Sequence, residues 1–137
     1  HLSAQKISNF AWDILERVLY EPSSLKKTFL FFQKKKIDPN FGLTRGELTL
    51  LDPMTFKREP AQLMILFQHC QVSHGKMDFR TEEAVMEALP FIDDRFRHGD
   101  GVNQTFLSIL RRGESVTAIL KKMHELGFLS RYIPEFS

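Results

Sequence analysis

Cysteine occurs once in these 137 residues, as Cys70, so no disulfide can close within the chain, and a reducing, cytoplasmic setting is expected. No apolar run approaches the roughly 18–20 residues that a membrane helix needs, and the basic, apolar, small-residue order of a secretory leader is missing. Excess charge is also scarce. The 19 Lys and Arg against 17 Asp and Glu leave +2, too little by itself to point to nucleic acid. Strand signals are few, and neither a repeat of fixed period nor a low-complexity tract occurs. What is present, 42% apolar and 26% charged residues, is an ordinary soluble globular composition, long enough for one buried core. The 13 Phe stand out. Each buried ring withdraws a large apolar area from water, so they imply a Phe-rich helical core or a surface that meets neighbouring domains.

Apolar spacing predicts helices along most of the chain. Ile7, Phe10, Ala11, Ile14, Leu15, Val18 and Leu19 recur at intervals of three and four; Pro22 breaks that helix, and Ser23 or Ser24 opens a second through Leu25, Phe29 and Phe32. Residues 37–40 read as a turn and 41–51 as a small hairpin about Arg45-Gly46, which needs support from helices or a neighbouring domain. Asp52-Pro53 predicts a short helix over 53–57. Glu59-Pro60 leads into a run apolar on most sides, with Leu63, Met64, Ile65, Leu66, Phe67 and Cys70, expected to be the central helix.

Thr81 is expected to cap the next helix, with Val85, Ala88 and Leu89 facing inward, Pro90 interrupting it, and Ile92 and Phe96 carrying the face onward. Asn103 is expected to cap a helix through Phe106, Leu107, Ile109 and Leu110 that Gly113 closes. Ser115 caps a last helix with Val116, Ile119, Leu120, Met123 and Leu126 on its inner face; Gly127 stops it, and Phe128 folds back onto it, leading into a short aromatic segment. The expected architecture is mainly α: a single helical domain over residues 1–137, of about seven or eight helices, with one small β-hairpin around 41–51. Its expected core includes Ile14, Leu15, Val18, Phe29, Leu63, Phe67, Leu89, Phe106, Leu110, Leu120 and Met123.

Four groups offer chemistry, and each has a simpler structural reading. His69, Cys70 and His74 form a Cys/His cluster without a second ligand pair, and Cys70 shares the apolar face of Leu63 and Phe67, so a buried core thiol is expected instead of zinc. Asp93 and Asp94 are adjacent on a helix, hence about 100° apart, and read as a solvated face rather than a two-carboxylate metal site. His124 has no catalytic companion in sequence and reads as half-exposed. Lys26, Lys27, Lys34, Lys35 and Lys36, interleaved with Phe29, Phe31 and Phe32, could attract a phosphate backbone, but the rings most simply form a buried face and the lysines a solvated one.

One resemblance is more specific than any of these groups. The segment MHELGFLSRYIPEF, residues 123–136, resembles the stretch just ahead of the HD hydrolase domain in bacterial protein-PII uridylyltransferase/uridylyl-removing enzymes. FGLTRGELTLLDPMTFKREPAQLMILFQHCQ (41–71) and EAVMEALPFIDDRF (83–96) are similar to earlier parts of the same region, in the same order. The resemblance implies a helical linker, a fragment of a larger multidomain cytoplasmic protein of nitrogen signalling. In that family a nucleotidyltransferase domain, using magnesium and UTP, attaches UMP to a tyrosine of PII; an HD domain removes it, and ACT domains sense glutamine.

The implied partners are the flanking nucleotidyltransferase and HD domains and, through the parent, PII, with neither nucleic acid nor membrane among them. No catalytic, cofactor-binding or metal residue is carried over: none of the five His precedes an Asp, and no Gly-Ser loop leads to an Asp-x-Asp pair. The alternatives are a helical domain of a different nucleotidyltransferase, acting on tRNA or a small molecule, and a free-standing protein-interaction module.

Overall fold

The computed structural model describes residues 35–136. The expected helices through Leu19 and Phe32, with Ile14, Leu15, Val18 and Phe29, lie outside the described residues. The expected hairpin is present as β2 (Phe41–Thr44) and β3 (Glu47–Leu50). Its turn residues Arg45 and Gly46 both have positive φ (56° and 76°), the handedness that matches strand twist. A third strand, β1 (Lys35–Lys36), pairs antiparallel with β2 and makes the sheet three-stranded, in the order β1-β2-β3. Beyond β3 the chain returns at Met77. There the Leu48 N–H donates to Lys76 O (3.0 Å) and the Asp78 N–H to Leu48 O (3.1 Å). A single bridge has no alternating pattern, so the sequence reads there as loop.

Seven α-helices follow among the described residues: α1 (Thr55–Arg58), α2 (Gln62–His69), α3 (Phe79–Ala88), α4 (Asp94–Arg97), α5 (Asp100–Arg112), α6 (Val116–Glu125) and α7 (Phe128–Tyr132). Short 3-10 turns occupy Leu89–Phe91 and Pro134–Phe136. α2 is central as expected: Leu63, Met64, Leu66, Phe67 and Cys70 have no exposed surface, and only Ile65 of its apolar run is partly exposed. Its main helical neighbour is α5, while α3 packs on β3 and α7 on α6. Each fully buried Phe or Leu contributes about 1.5–3 kcal/mol. No helix of the described residues is long and apolar enough to cross a membrane.

The helix starts differ from expectation, for local reasons. α1 begins at Thr55, because the Asp52 carboxylate accepts the Met54 N–H (2.9 Å) from outside the helix. α3 is capped by Asp78 instead of Thr81, whose hydroxyl is inside the structure and committed elsewhere. α5 opens after Gly99, so Asn103 lies in its first turn and its amide is free for tertiary contacts. Ser115 precedes α6 but is left-handed (φ 55°), and its hydroxyl makes no cap bond.

The segment after Gly127, expected as a short aromatic stretch, is the helix α7. Gly127 is left-handed (φ 82°) and lets α7 turn back so that Phe128 is wholly buried. Leu110 also departs from expectation. It is 38% exposed while Ile109 is fully buried, since the inward stripe of α5 runs through Val102, Phe106 and Ile109. Leu89, Phe106 and Leu120 are partly buried against the core.

Candidate functional site

The Cys/His cluster does not converge. His69 closes α2 with its Nε2 2.8 Å from Asp38 Oδ2, and its ring meets Phe41 edge-on at 5.5 Å. Cys70 is sealed in the core, where burial pushes its thiol up to about 12. His74, left-handed at φ 55°, lies with Nδ1 2.9 Å from Ser115 Oγ. Among the described residues no three His, Cys, Asp or Glu side chains could hold a metal ion. Because the thiolate is the reactive form, a thiol reagent should modify Cys70 only as fast as the protein unfolds. Absorbance of the released thiolate follows this, and rapid reaction of the native protein would contradict the buried placement.

Asp93 caps α4 by accepting the Phe96 N–H (3.0 Å), and exposed Asp94 pairs with Arg97 (3.0 Å). His124 is exposed. Lys35 and Lys36 are exposed on β1, while Lys26, Lys27, Lys34, Phe29, Phe31 and Phe32 lie outside the described residues.

What the sequence did not reveal is a set of long-range polar ties. Asp38 accepts the N–H groups of Asn40 (2.8 Å) and Phe41 (2.9 Å) as well as the His69 contact, so one carboxylate forms the β1–β2 turn and ties it to α2. Burial pushes this carboxyl up, but the Asn40 amide, the His69 ring and the Phe41 amide together hold it below its ordinary 3.8. A carboxyl that binds its proton less readily when folded stabilises the fold fully above the unfolded value and loses that contribution as pH falls through the lower, folded one. Stability should therefore decline below about pH 4, and less steeply in Asp38→Asn. Urea midpoints across acid pH test this, and parallel profiles would contradict it.

Lys122 joins α6 to α3 through Glu82 (2.8 Å), and that hydrogen bond holds its ammonium above the usual lysine value. In α7, the Tyr132 hydroxyl donates to Asn103 Oδ1. Asn103 Nδ2 in turn donates to Arg97 O (3.2 Å), and Arg97 Nε donates to Arg131 O (2.7 Å). Burial pushes the Tyr132 phenol up. Around it are Phe106 at 5.2 Å, Phe128 at 5.8 Å and Phe96 at 6.0 Å, and Phe128 reaches Phe67 of α2 at 4.7 Å. Four of the 13 Phe gather here. α6, Gly127 and α7 are anchored to the helical body by these rings and by a short chain of hydrogen bonds.

A family model described as the uridylyltransferase GlnD third domain matches residues 41–132. The chain is similar to the bifunctional uridylyltransferase/uridylyl-removing enzyme of Cereibacter sphaeroides, at 30% identity over 107 residues, covering 78% of this chain and 12% of that protein. The enzyme of the same name from Thiobacillus denitrificans is 36% identical over 104 residues (73% and 12%), and that of Pseudomonas aeruginosa 29% over 108 residues (76% and 12%). The chain thus spans 12% of the length of these curated relatives. No solved structure matches.

Proposed function

The chain belongs to the uridylyltransferase GlnD third-domain family, and from that premise we propose that it is a non-catalytic helical domain of a protein-PII uridylyltransferase/uridylyl-removing enzyme. In this reading it positions the nucleotidyltransferase and HD domains relative to each other in nitrogen signalling. The observation that carries the reading is the anchoring of α6, Gly127 and α7: Phe128 is buried against Phe67, and Tyr132 is tied to Asn103. An element locked in this way transmits orientation, because it cannot swing independently of the helical body. UTP and magnesium act, in this reading, in another domain of the parent, and PII is the parent's substrate. No step is assigned to a side chain of this domain.

The test uses the longest natural form of the protein, incubated with radiolabelled UTP, magnesium and purified PII, with and without glutamine, beside residues 1–137 alone. Label on PII from the long form, suppressed by glutamine, and none from residues 1–137, is the expected result. Transfer by residues 1–137 would overturn the non-catalytic role. No transfer by the long form, beside an active control, would overturn the PII assignment and move the search to tRNA and small nucleotides.

A further inference from the structure

The loop between α2 and α3, residues 71–78, touches α2, β3, α5 and α6 at once. Toward α2 and the sheet it is fastened through backbone: the Gly75 N–H donates to Cys70 O (2.8 Å), and Lys76 O accepts the Leu48 N–H (3.0 Å). Gln71, buried at the start of the loop, closes the end of α5, where carbonyls lack helical partners. Its Nε2 donates to Ile109 O (3.3 Å) and Glu114 O (3.5 Å), and its Oε1 accepts from Arg112 Nη1 (3.3 Å). The start of α6 meets the same loop. His74 Nδ1 lies 2.9 Å from the hydroxyl of Ser115, and both residues are left-handed at φ 55°. Gly75, buried and left-handed at φ 83°, is set against the first turn of α6: a Cβ there would lie 3.0 Å from Ala118 Cβ and 3.2 Å from Ala118 C and O.

We propose that this loop is the stop that sets the orientation of α6, and that Gly75 is the positioning residue on which the setting depends. The other ties of α6 are made by side chains, such as Lys122 to Glu82, which can follow a small displacement by changing rotamer. The Gly75 contact is backbone against helix, with no side chain of the loop to give way. Behind it the loop is held by Cys70 O and by Leu48, so added volume at position 75 falls on α6. Left-handed His74 and Ser115 facing each other fit the same account, since such conformations cost free energy and persist where the surroundings over-determine them. Resting on the reading above, in which α6, Gly127 and α7 carry orientation between domains, the loop then sets the balance that glutamine strikes between attachment and removal of UMP.

Nitrogen–proton correlation spectra of residues 1–137 test the setting, with Gly75→Asn read against Gly113→Asn. Asparagine accepts left-handed backbone more readily than most residues. Its Cβ meets Ala118 at position 75 but nothing within 4 Å at position 113, which is also left-handed at φ 73°. Gly75→Asn is expected to shift amide signals along the whole of α6 and into Phe128, whereas Gly113→Asn shifts only its immediate neighbours. Adding Ala118→Gly should return the signals of residues 122–128 toward those of the unaltered chain. Signals displaced by Gly75→Asn only at 74–76 and 117–119 would overturn the proposal, because the loop would then yield instead of α6. If circular dichroism shows that Gly75→Asn does not fold, Gly75→Ala, the smaller addition, takes its place. In the longest natural form, the glutamine concentration at which UMP attachment and removal balance should move about fivefold in Gly75→Asn, and less than about twofold in Gly113→Asn and in Gly75→Asn with Ala118→Gly. An unmoved balance beside a displaced α6 would overturn the positioning role. A long form that transfers no UMP sinks the PII reading, and the spectra then decide alone whether the loop sets α6.

Discussion

Phe128→Ala is expected to destabilise the fold by about 3–5 kcal/mol, the largest loss of any single substitution considered for this domain. The ring has no exposed surface and lies within 4.7 Å of Phe67, 5.8 Å of Tyr132 and 6.1 Å of Phe96, measured between ring centroids. Truncating it removes the transfer energy of the ring and leaves a void where α2, α4 and α7 meet, and the surrounding aromatics can close that void only in part. Urea denaturation followed by circular dichroism measures the loss. A change below about 1 kcal/mol would mean that α7 does not dock on the helical body as described.

Asp78→Ala is expected to cost about 2–4 kcal/mol, more than an ordinary helix cap. Its Oδ1 accepts from the Thr81 N–H (2.8 Å) and the Thr81 hydroxyl (2.7 Å), and its Oδ2 accepts from Thr49 Oγ1 (2.8 Å). Thr81 is itself buried, and its oxygen accepts the Leu50 N–H at 2.9 Å. One carboxylate thus caps α3, orients the Thr81 hydroxyl toward the sheet and ties α3 to β3. Removing it leaves the Thr81 hydroxyl without its acceptor, in addition to the lost cap. Asp78→Asn keeps one acceptor oxygen and should fall between wild type and Asp78→Ala in the same urea titration. A loss of about 0.5 kcal/mol or less for Asp78→Ala would show that the network does not hold the sheet to the helix.

The regular parts of this fold were legible because they repeat. α2 carries apolar residues at nearly every helical position, and Arg45-Gly46 between short strands marks a hairpin turn. Thr81 reads as the cap of α3 because it and Asp78, three residues earlier, are both good capping residues. Thr49, far away in sequence, engages Asp78 and leaves Thr81 for the sheet. Asn103 is a good capping residue by type, but α5 opens four residues earlier, after Gly99, and the Asn103 amide serves Tyr132 and Arg97. Leu110 reads as core because it sits among apolar neighbours, and one residue of helical phase turns it out.

The Asp38–His69 pair spans 31 residues, and no local pattern announces such a contact. The two shallow grooves on either side of Phe91, one between α1 and α3 and one beside the α4–α5 turn, depend on how these helices pack, which the periodicity of each helix alone does not specify. The family resemblance was legible in the order of segments from Phe41 onward, and the family match covers residues 41–132.

The proposed role, in which this domain fixes the geometry between catalytic domains, is tested by replacing residues 35–136 in the longest natural form with a flexible Gly/Ser linker of matched span. UMP attachment to PII and UMP removal are then measured side by side over a range of glutamine. The expected result is that both reactions persist while glutamine no longer trades one against the other. Glutamine control indistinguishable from that of the unaltered protein would contradict it.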